Sequence, residues 1–441
     1  MIVIAGGGVA GIVAAILLAE KSEPVCLIEK SEKIGGLYLS KQNDLGVAFD
    51  YGGHFIQSTG ISEIDNIILD GVDNNKWHTF NNLKGGNFYG SELNTKSPFL
   101  DTRQLPVDIY RKGILELLAI KDTMKQPENL HEQIISIFGD TFTNHVFKPI
   151  LEDKFFGHKL ADLSVNSHLL FGFNRVIGFD SNTAREIKKS EVFDQKIAFN
   201  SYNEGASELS NFYPKNGGIE LFIKNLHRKL KSLNVTVLTG VEISEISHQD
   251  NKVNSISLDN GNKLDCSSII WTIAPPLFGK YCNIKSEVKS EKPQQLYTYL
   301  HDFAFDQDFL VDTHYIQCHE PTLDTFRTTL YSNIQENNQR VFHLTSEILS
   351  PKKLNIEESR AKAIQELVSM GIITPESKIL FQNSELLENG FPIPTLKSIN
   401  SSSSVVEFFE SNIENVVFLG RALGNGFTLG SILNDIYKKI Y

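Results

Sequence analysis

The chain reads as an α/β fold: a parallel-sheet domain interrupted twice by a second domain, part helical and part strand-rich. Three observations predict it. Residues 2–36 alternate strand, glycine turn, helix and strand. Two later stretches, near residues 211–285 and 385–441, repeat strand and helix signals. The blocks between them have a different character, helical over 105–200 and strand-like over 290–350.

The N-terminal element is the most specific. An apolar run, Ile2 to Ala5, leads into Gly6-x-Gly8-x-x-Gly11, a small-residue helix follows, and a second apolar run, Val25 to Ile28, ends in Glu29. This is a dinucleotide fingerprint. Gly6 permits the tight turn, Gly8 admits a pyrophosphate to the backbone, and Gly11 lets the helix sit close on the strand. Glu29 is placed to accept hydrogen bonds from ribose hydroxyls, with Lys30 beside it. The stretch lacks the basic start of a signal segment, and three consecutive glycines oppose a membrane helix.

In the second segment FYPKNGGIELFIKNLHRKL predicts a loop and an amphipathic helix, followed by the strand VTVLT. Asp259-Asn260-Gly261 then predicts a hairpin, and SSIIWTIAPP a buried strand. The third segment predicts the strand NVVFLG and a helix from Leu429. Ser401 to Ser404 reads as a loop before a helix. The resulting division is 1–60, 211–285 and 385–441 for the cofactor domain, with 61–210 and 286–384 for the second domain. A ligand pocket is expected at their interface.

Bulk composition narrows the function. With 441 residues, 41% apolar and 22% charged, the chain is an ordinary globular protein with length for two or three units. A net charge of -11 argues against a nucleic-acid or anionic-membrane surface. Cys26, Cys266, Cys282 and Cys318 show no CxxC spacing, so neither a disulfide framework nor a zinc site is expected, and a reducing cytoplasm fits best. Cys318, His319 and His314 would be crowded metal ligands, and strand alternation explains them more simply. Trp77 and Trp271 read as core residues. No P-loop, HExxH or GxSxG is present.

Six residues past Glu29 stands Gly35-Gly36, followed by Leu37. The arrangement GxGxxG, Glu, five residues, GG is similar to the extended FAD motif of flavoproteins with two dinucleotide-binding domains. The sequence resembles the superfamily of flavin amine oxidases, protoporphyrinogen oxidase and UDP-galactopyranose mutase. FDYGGHFIQST resembles the glycine-histidine loop that runs along the flavin in the mutases. FGDTFTNHVFKPILEDKFFGHKLADLS resembles the "P…K.fG…L" region. YPKNGGIELFIKNL resembles the start of the family's cofactor-domain helix, and ISEI, beginning at Ile243, occupies the adenine position. NVVFLGRALGNGFTLGSILNDI resembles the closing motif.

The resemblance implies FAD as cofactor, a discontinuous Rossmann-like domain holding it, a substrate domain with a strand-rich sheet, and a helical insertion. It implies an oxidoreductase passing a substrate hydride to flavin. The alternatives are a redox-neutral sugar-nucleotide mutase and a flavin-binding protein without turnover. Gly420 and Arg421 suit a close approach and a pyrophosphate fork, and the amides around Thr428, Leu429 and Gly430 suit the flavin pyrimidine. Gly53 brings its loop near the ring, and His54 has the titration range of a proton-transfer or flavin-tuning group. Gln57 stands where the mutases carry a second histidine. Arg175, flanked by apolar residues, and Arg327 are candidates for an anionic substrate such as a nucleotide sugar, and alternation places Arg327 and Tyr331 on one strand face. Lys154 fits either a structural or a flavin-facing role.

Overall fold

The computed structural model describes residues 1–120, 126–205, 208–284, 293–336, 340–424 and 428–441. Its first layer is a five-stranded sheet, parallel throughout, in the spatial order Thr236–Thr239, Val25–Glu29, Ile2–Ala5, Ser268–Trp271, Val416–Phe418. Three distant stretches of sequence therefore build one sheet. In chain order its strands lie 3-2-1-4-5, so the direction of progression reverses between Ile2–Ala5 and Ser268–Trp271. In open α/β sheets ligands bind outside the carboxyl ends of strands at such a point.

Strands buried on both faces must be apolar throughout, and Val3, Ile4, Cys26 and Leu27 are fully buried. On one face lies helix Val9–Glu20, in which Ile12 to Leu17 are all inaccessible. Helices Glu220–Ser232 and Leu429–Ile440 cover it. The first of these buries Phe222, Ile223, Leu226 and Leu230 along one stripe, the amphipathic pattern read in the sequence. The opposite face carries the three-stranded meander Ile243–Gln249, Lys252–Leu258, Lys263–Asp265 and helices Pro275–Cys282 and Leu396–Asn412. The expected Asn-Gly hairpin closes the meander.

Gly11 is held by sterics. A Cβ there would stand 2.0 Å from the Gly6 carbonyl oxygen. Gly11→Ala must spread helix from strand. We expect a loss of about 3 kcal/mol in urea unfolding, and a folding free energy within error of wild type would refute the close-packing role.

The second sheet has seven strands, ordered Ile379–Pro392, Gln295–Phe305, Phe342–Ser350, Thr325–Leu330, Tyr315–Cys318, Gly85–Tyr89, Glu92–Asn94. All neighbours are antiparallel except Tyr315–Cys318 with Gly85–Tyr89. Helix Ile356–Ser369 packs behind it. The helical insertion, Val107–Ala119, Leu130–Phe142 and the wider-wound Thr143–Phe156, closes on a phenylalanine-rich core in which the Phe155 and Phe171 rings stack at 4.2 Å. Among the described residues no helix is long and apolar enough to cross a membrane.

Three expectations are corrected. Ser401 to Ser404 lies inside helix Leu396–Asn412, because the Thr395 side chain caps the Ser398 N–H and Ser398, Val405 and Phe409 form a buried helical stripe. The boundary at 384/385 falls within strand Ile379–Pro392, which belongs to the seven-stranded sheet. Tyr331 is not on the strand of Arg327: that strand ends at Leu330, and Tyr331 opens a short helix, Tyr331–Ile334.

Candidate functional site

The cleft opens at the reversal point of the parallel sheet and has a volume of about 370 Å³. Gly6, Gly8, Glu29, Gly35, Gly36, Leu37, His54, Arg421 and Leu429 line it, nine residues singled out from sequence. The local geometry explains their convergence. Gly6 has φ of +105°, so the chain leaves its strand in a turn closed to L side chains. The Gly35 N–H donates to the Gly7 carbonyl at 2.7 Å, clipping the glycine pair to the fingerprint loop. A Cβ on Gly8 would meet nothing within 4 Å; that space belongs to the cleft.

Glu29 closes one end. Its Oε2 accepts the Gly7 N–H at 2.7 Å and its Oε1 the Ser31 N–H at 2.8 Å. Two backbone donors orient a carboxylate that keeps further lone pairs for a ligand. Lys30 points away, paired with Glu242 at 3.0 Å. Ile243, at the head of the meander, and Gly11, inside the helix, do not line the cleft.

Arg421 closes another side. Gly420 sits at φ +91°, beside Ala10 and the Thr272 carbonyl. The guanidinium lies 5.7 Å from the Phe391 ring, and its buried Nε makes no hydrogen bond among the described residues. Burial pulls its pKa below the ordinary arginine value. Helix Leu429–Ile440 starts here behind a capping box, with the Thr428 hydroxyl accepting the Ser431 N–H at 3.2 Å and the Ser431 hydroxyl oxygen accepting the Thr428 N–H at 3.1 Å.

The glycine-histidine loop leaves strand Ala48–Asp50, which pairs with Ser40–Gln42 in a two-stranded ribbon. Asp50, fully buried, accepts from the Ser40 and Tyr213 hydroxyls, both at 2.6 Å, and from the Ile219 N–H at 3.0 Å. Burial still raises its carboxyl to about 6. Gly53 donates its N–H to Glu347 at 3.2 Å, and Glu347 holds Arg327 by two bonds, at 2.6 and 2.9 Å. The His54 ring lies 4.7 Å from that of Tyr38, tilted by 31°. Its Nε2 lies 3.1 Å from the Tyr51 carbonyl, which can only accept; Nε2 therefore carries the proton and Nδ1 keeps a lone pair. Burial and the nearby Arg327 charge push its pKa down to about 4, below the near-neutral range expected of it, so His54 is uncharged at pH 7.

The other candidates lie elsewhere. Arg175 donates to the Asp194 carbonyl at 2.8 Å. Tyr331 is fully buried, its hydroxyl between the Asp50 N–H and Thr345. Arg327 stands behind Gly53, engaged by Glu347. Lys154 clamps the carbonyls of Cys318 and Glu320, both at 2.8 Å, a structural post. Gln57 is exposed and contacts Asn211. The four cysteines are buried and free, and no cluster of metal-ligating side chains occurs among the described residues.

Sequence reading missed Tyr38, Thr272 and Ile273, which also line the cleft. Thr272 and Ile273 end the WTIAPP strand, but only the strand order sets that end beside Gly6, where the Thr272 hydroxyl donates to the Ala5 carbonyl at 2.8 Å.

The family model for flavin containing amine oxidoreductase matches residues 9–302, two thirds of the protein. The chain belongs to that family. Membership brings with it a flavin cofactor, for which FAD is typical, and places the protein among FAD-dependent enzymes. Solved structures share the fold across the full chain. Reduced UDP-galactopyranose mutase superimposes with a TM-score of 0.79 at 18% identity, covering 100% of this chain and 93% of that one. A putative protoporphyrinogen oxidase from Exiguobacterium sp. 255-15 gives 0.71 at 16%, covering 100% and 97%. Putrescine oxidase gives 0.66 at 13%, again covering 100% and 97%. No curated protein matches the chain.

Two features of the cleft fit the cofactor. Among the described residues the buried Nε of Arg421 is a donor without an acceptor, which a phosphate or flavin oxygen would satisfy. The space over Gly8 leaves backbone open to a diphosphate.

Proposed function

We propose that the protein is an FAD-dependent oxidoreductase that dehydrogenates a small molecule at the cleft outside the carboxyl ends of its parallel sheet. The observation that carries this reading is the cleft itself: dinucleotide fingerprint, glycine pair, His54 and the unpaired Arg421 converge at the reversal point of the parallel sheet. When bound, FAD supplies a two-electron acceptor for a hydride leaving a substrate carbon, restored by oxygen or another acceptor.

The chain's own residues bind and orient. Glu29 holds the ribose hydroxyls, and the amides opening helix Val9–Glu20 meet the pyrophosphate. Gly420, Arg421 and the amides of Thr428, Leu429 and Gly430 face the far end of the cofactor, where the helix N-terminus favours negative charge. His54, uncharged with Nδ1 free, can accept a proton but offers none from that atom at pH 7. Arg327 and Glu347 position the loop that carries it.

Glu29→Ala removes acceptors for two backbone amides and the ribose hydroxyls. The expected result is FAD binding weaker by about 10- to 100-fold in a reconstitution titration. Unchanged affinity would refute the ribose role.

The function is tested by anaerobic mixing of the purified yellow protein with a panel of amines and other dehydrogenatable compounds. Loss of flavin absorbance with at least one of them is expected. A protein that releases no flavin on denaturation sinks the proposal. The glycine-histidine loop and Arg421 also favour a mutase reading, which requires that only dithionite-reduced protein convert a UDP-sugar. Exposed Gln57, in place of a second histidine, speaks against it.

A further inference from the structure

A second cavity, of about 540 Å³, is lined by His78, Phe80, His314 and their neighbours and shares no lining residue with the dinucleotide cleft. Its size falls within the range of small-molecule sites, ~300–1,000 Å³. One wall is aromatic. The His78 ring lies 5.7 Å from Phe80 at 40°, and Phe80 lies 4.7 Å from His314 at 62°. Asn81, Asn82, Asn203 and Tyr202 also line the cavity, and their side chains make no hydrogen bond to another described residue. Asn333, deeper in, is already committed, its amide donating to the Val311 and Thr313 carbonyls at 2.9 and 2.8 Å.

The charges around the cavity cancel in pairs. Lys84 is held by Asp312 at 2.9 Å and Glu336 by Lys215 at 3.3 Å. Burial keeps His314 neutral, with a pKa of about 4, and its Nδ1 accepts the Lys84 N–H at 3.3 Å. Among the described residues lining the cavity, an anion finds no free cation and a cation no free carboxylate. What is free among these described residues is a set of amides, each with donors and an acceptor, lining the same cavity as an aromatic ring. Hydroxyl groups satisfy both halves of an amide, and the C–H face of a pyranose covers an aromatic ring.

We propose that this cavity is a ligand site for a neutral saccharide, separate from the redox site and independent of the function proposed above. Asn81, Asn82 and Asn203 would take the hydroxyls, and Phe80 the C–H face.

The test is calorimetric titration of the holoprotein with methyl glucoside, methyl galactoside, maltose and cellobiose, and with glucose 6-phosphate as the charged probe. Saturable binding of at least one neutral sugar is expected, weaker by about fivefold in Asn82→Ala and about tenfold in Phe80→Ala. Phe80 also touches the core, so half-exposed Asn82 is the decisive position. Glu29→Ala, altered only in the dinucleotide cleft, should bind the sugar as wild type does. The proposal is overturned if no neutral sugar in the panel binds, if only the phosphorylated sugar does, or if binding is unaffected by Asn82→Ala. Loss of sugar binding in Glu29→Ala would also overturn it, since the cavities would then not be separate.

Discussion

Lowering the pH from 6.5 to about 4 will unfold this protein. Burial holds His54, His168, His301, His314 and His343 down to about 4, and His319 to about 3. In the unfolded chain each of these histidines takes up its proton near the ordinary value of 6.5. Between 6.5 and 4 the unfolded state therefore binds more protons, so stability falls as pH falls.

Asp50 opposes the trend, since burial raises it to about 6 and the folded state keeps that proton while the unfolded chain sheds it. Asp302 is raised in the same sense. One pKa unit is worth about 1.4 kcal/mol. Six histidines pushed down by burial outnumber the two carboxyls pushed up, so the net trend is a loss of stability as pH falls, against an ordinary stability of only ~5–15 kcal/mol. Urea unfolding at successive pH values should show a flat region above 6.5, a steady decline below it and no folded baseline near 4. Equal stability at pH 6.5 and 4.5 would contradict the argument.

Replacing Glu347 by alanine is expected to cost about 3–5 kcal/mol, the usual result of stranding one partner of a buried ion pair. Three donors lose their acceptor at once: Arg327 Nε, Arg327 Nη2 and the Gly53 N–H. The Glu347 side chain is 6% exposed and that of Arg327 24%, so water replaces little of this. Glu347→Gln, which keeps an acceptor for Gly53, should cost less. The double variant Glu347→Met with Arg327→Met should recover much of the loss, because no charge is then left unpaired. A Glu347→Ala protein within 1 kcal/mol of wild type, a small fraction of ordinary stability, would show that the pair does not brace the loop.

The cofactor half of the site was legible because its signals are local. A glycine pattern between an apolar strand and a helix, an acid at the next strand end and a glycine pair six residues on are read within one stretch of chain. The second half was less so. Arg175 and Arg327 both looked like charges needing either a partner or a ligand, and one is answered by Asp194 and the other by Glu347, neighbours that lie 19 and 20 positions away. Apolar flanks announce that a charge must be compensated and are silent about what compensates it.

The amino-acid sequence alone determined that a discontinuous α/β domain would carry a dinucleotide motif, and which glycines and which acid would form its core. Hydrophobic period and glycine placement act over a few residues, so they survive without knowledge of the rest. Only the tertiary structure decided that strand Ser268–Trp271 lies beside Ile2–Ala5, bringing Thr272, Tyr38, His54 and Arg421 to one cleft. It also decided that His54 is neutral and that Tyr331 is buried behind Asp50. Strand order and the burial of charge are set by contacts between segments hundreds of residues apart, and those contacts leave no local pattern.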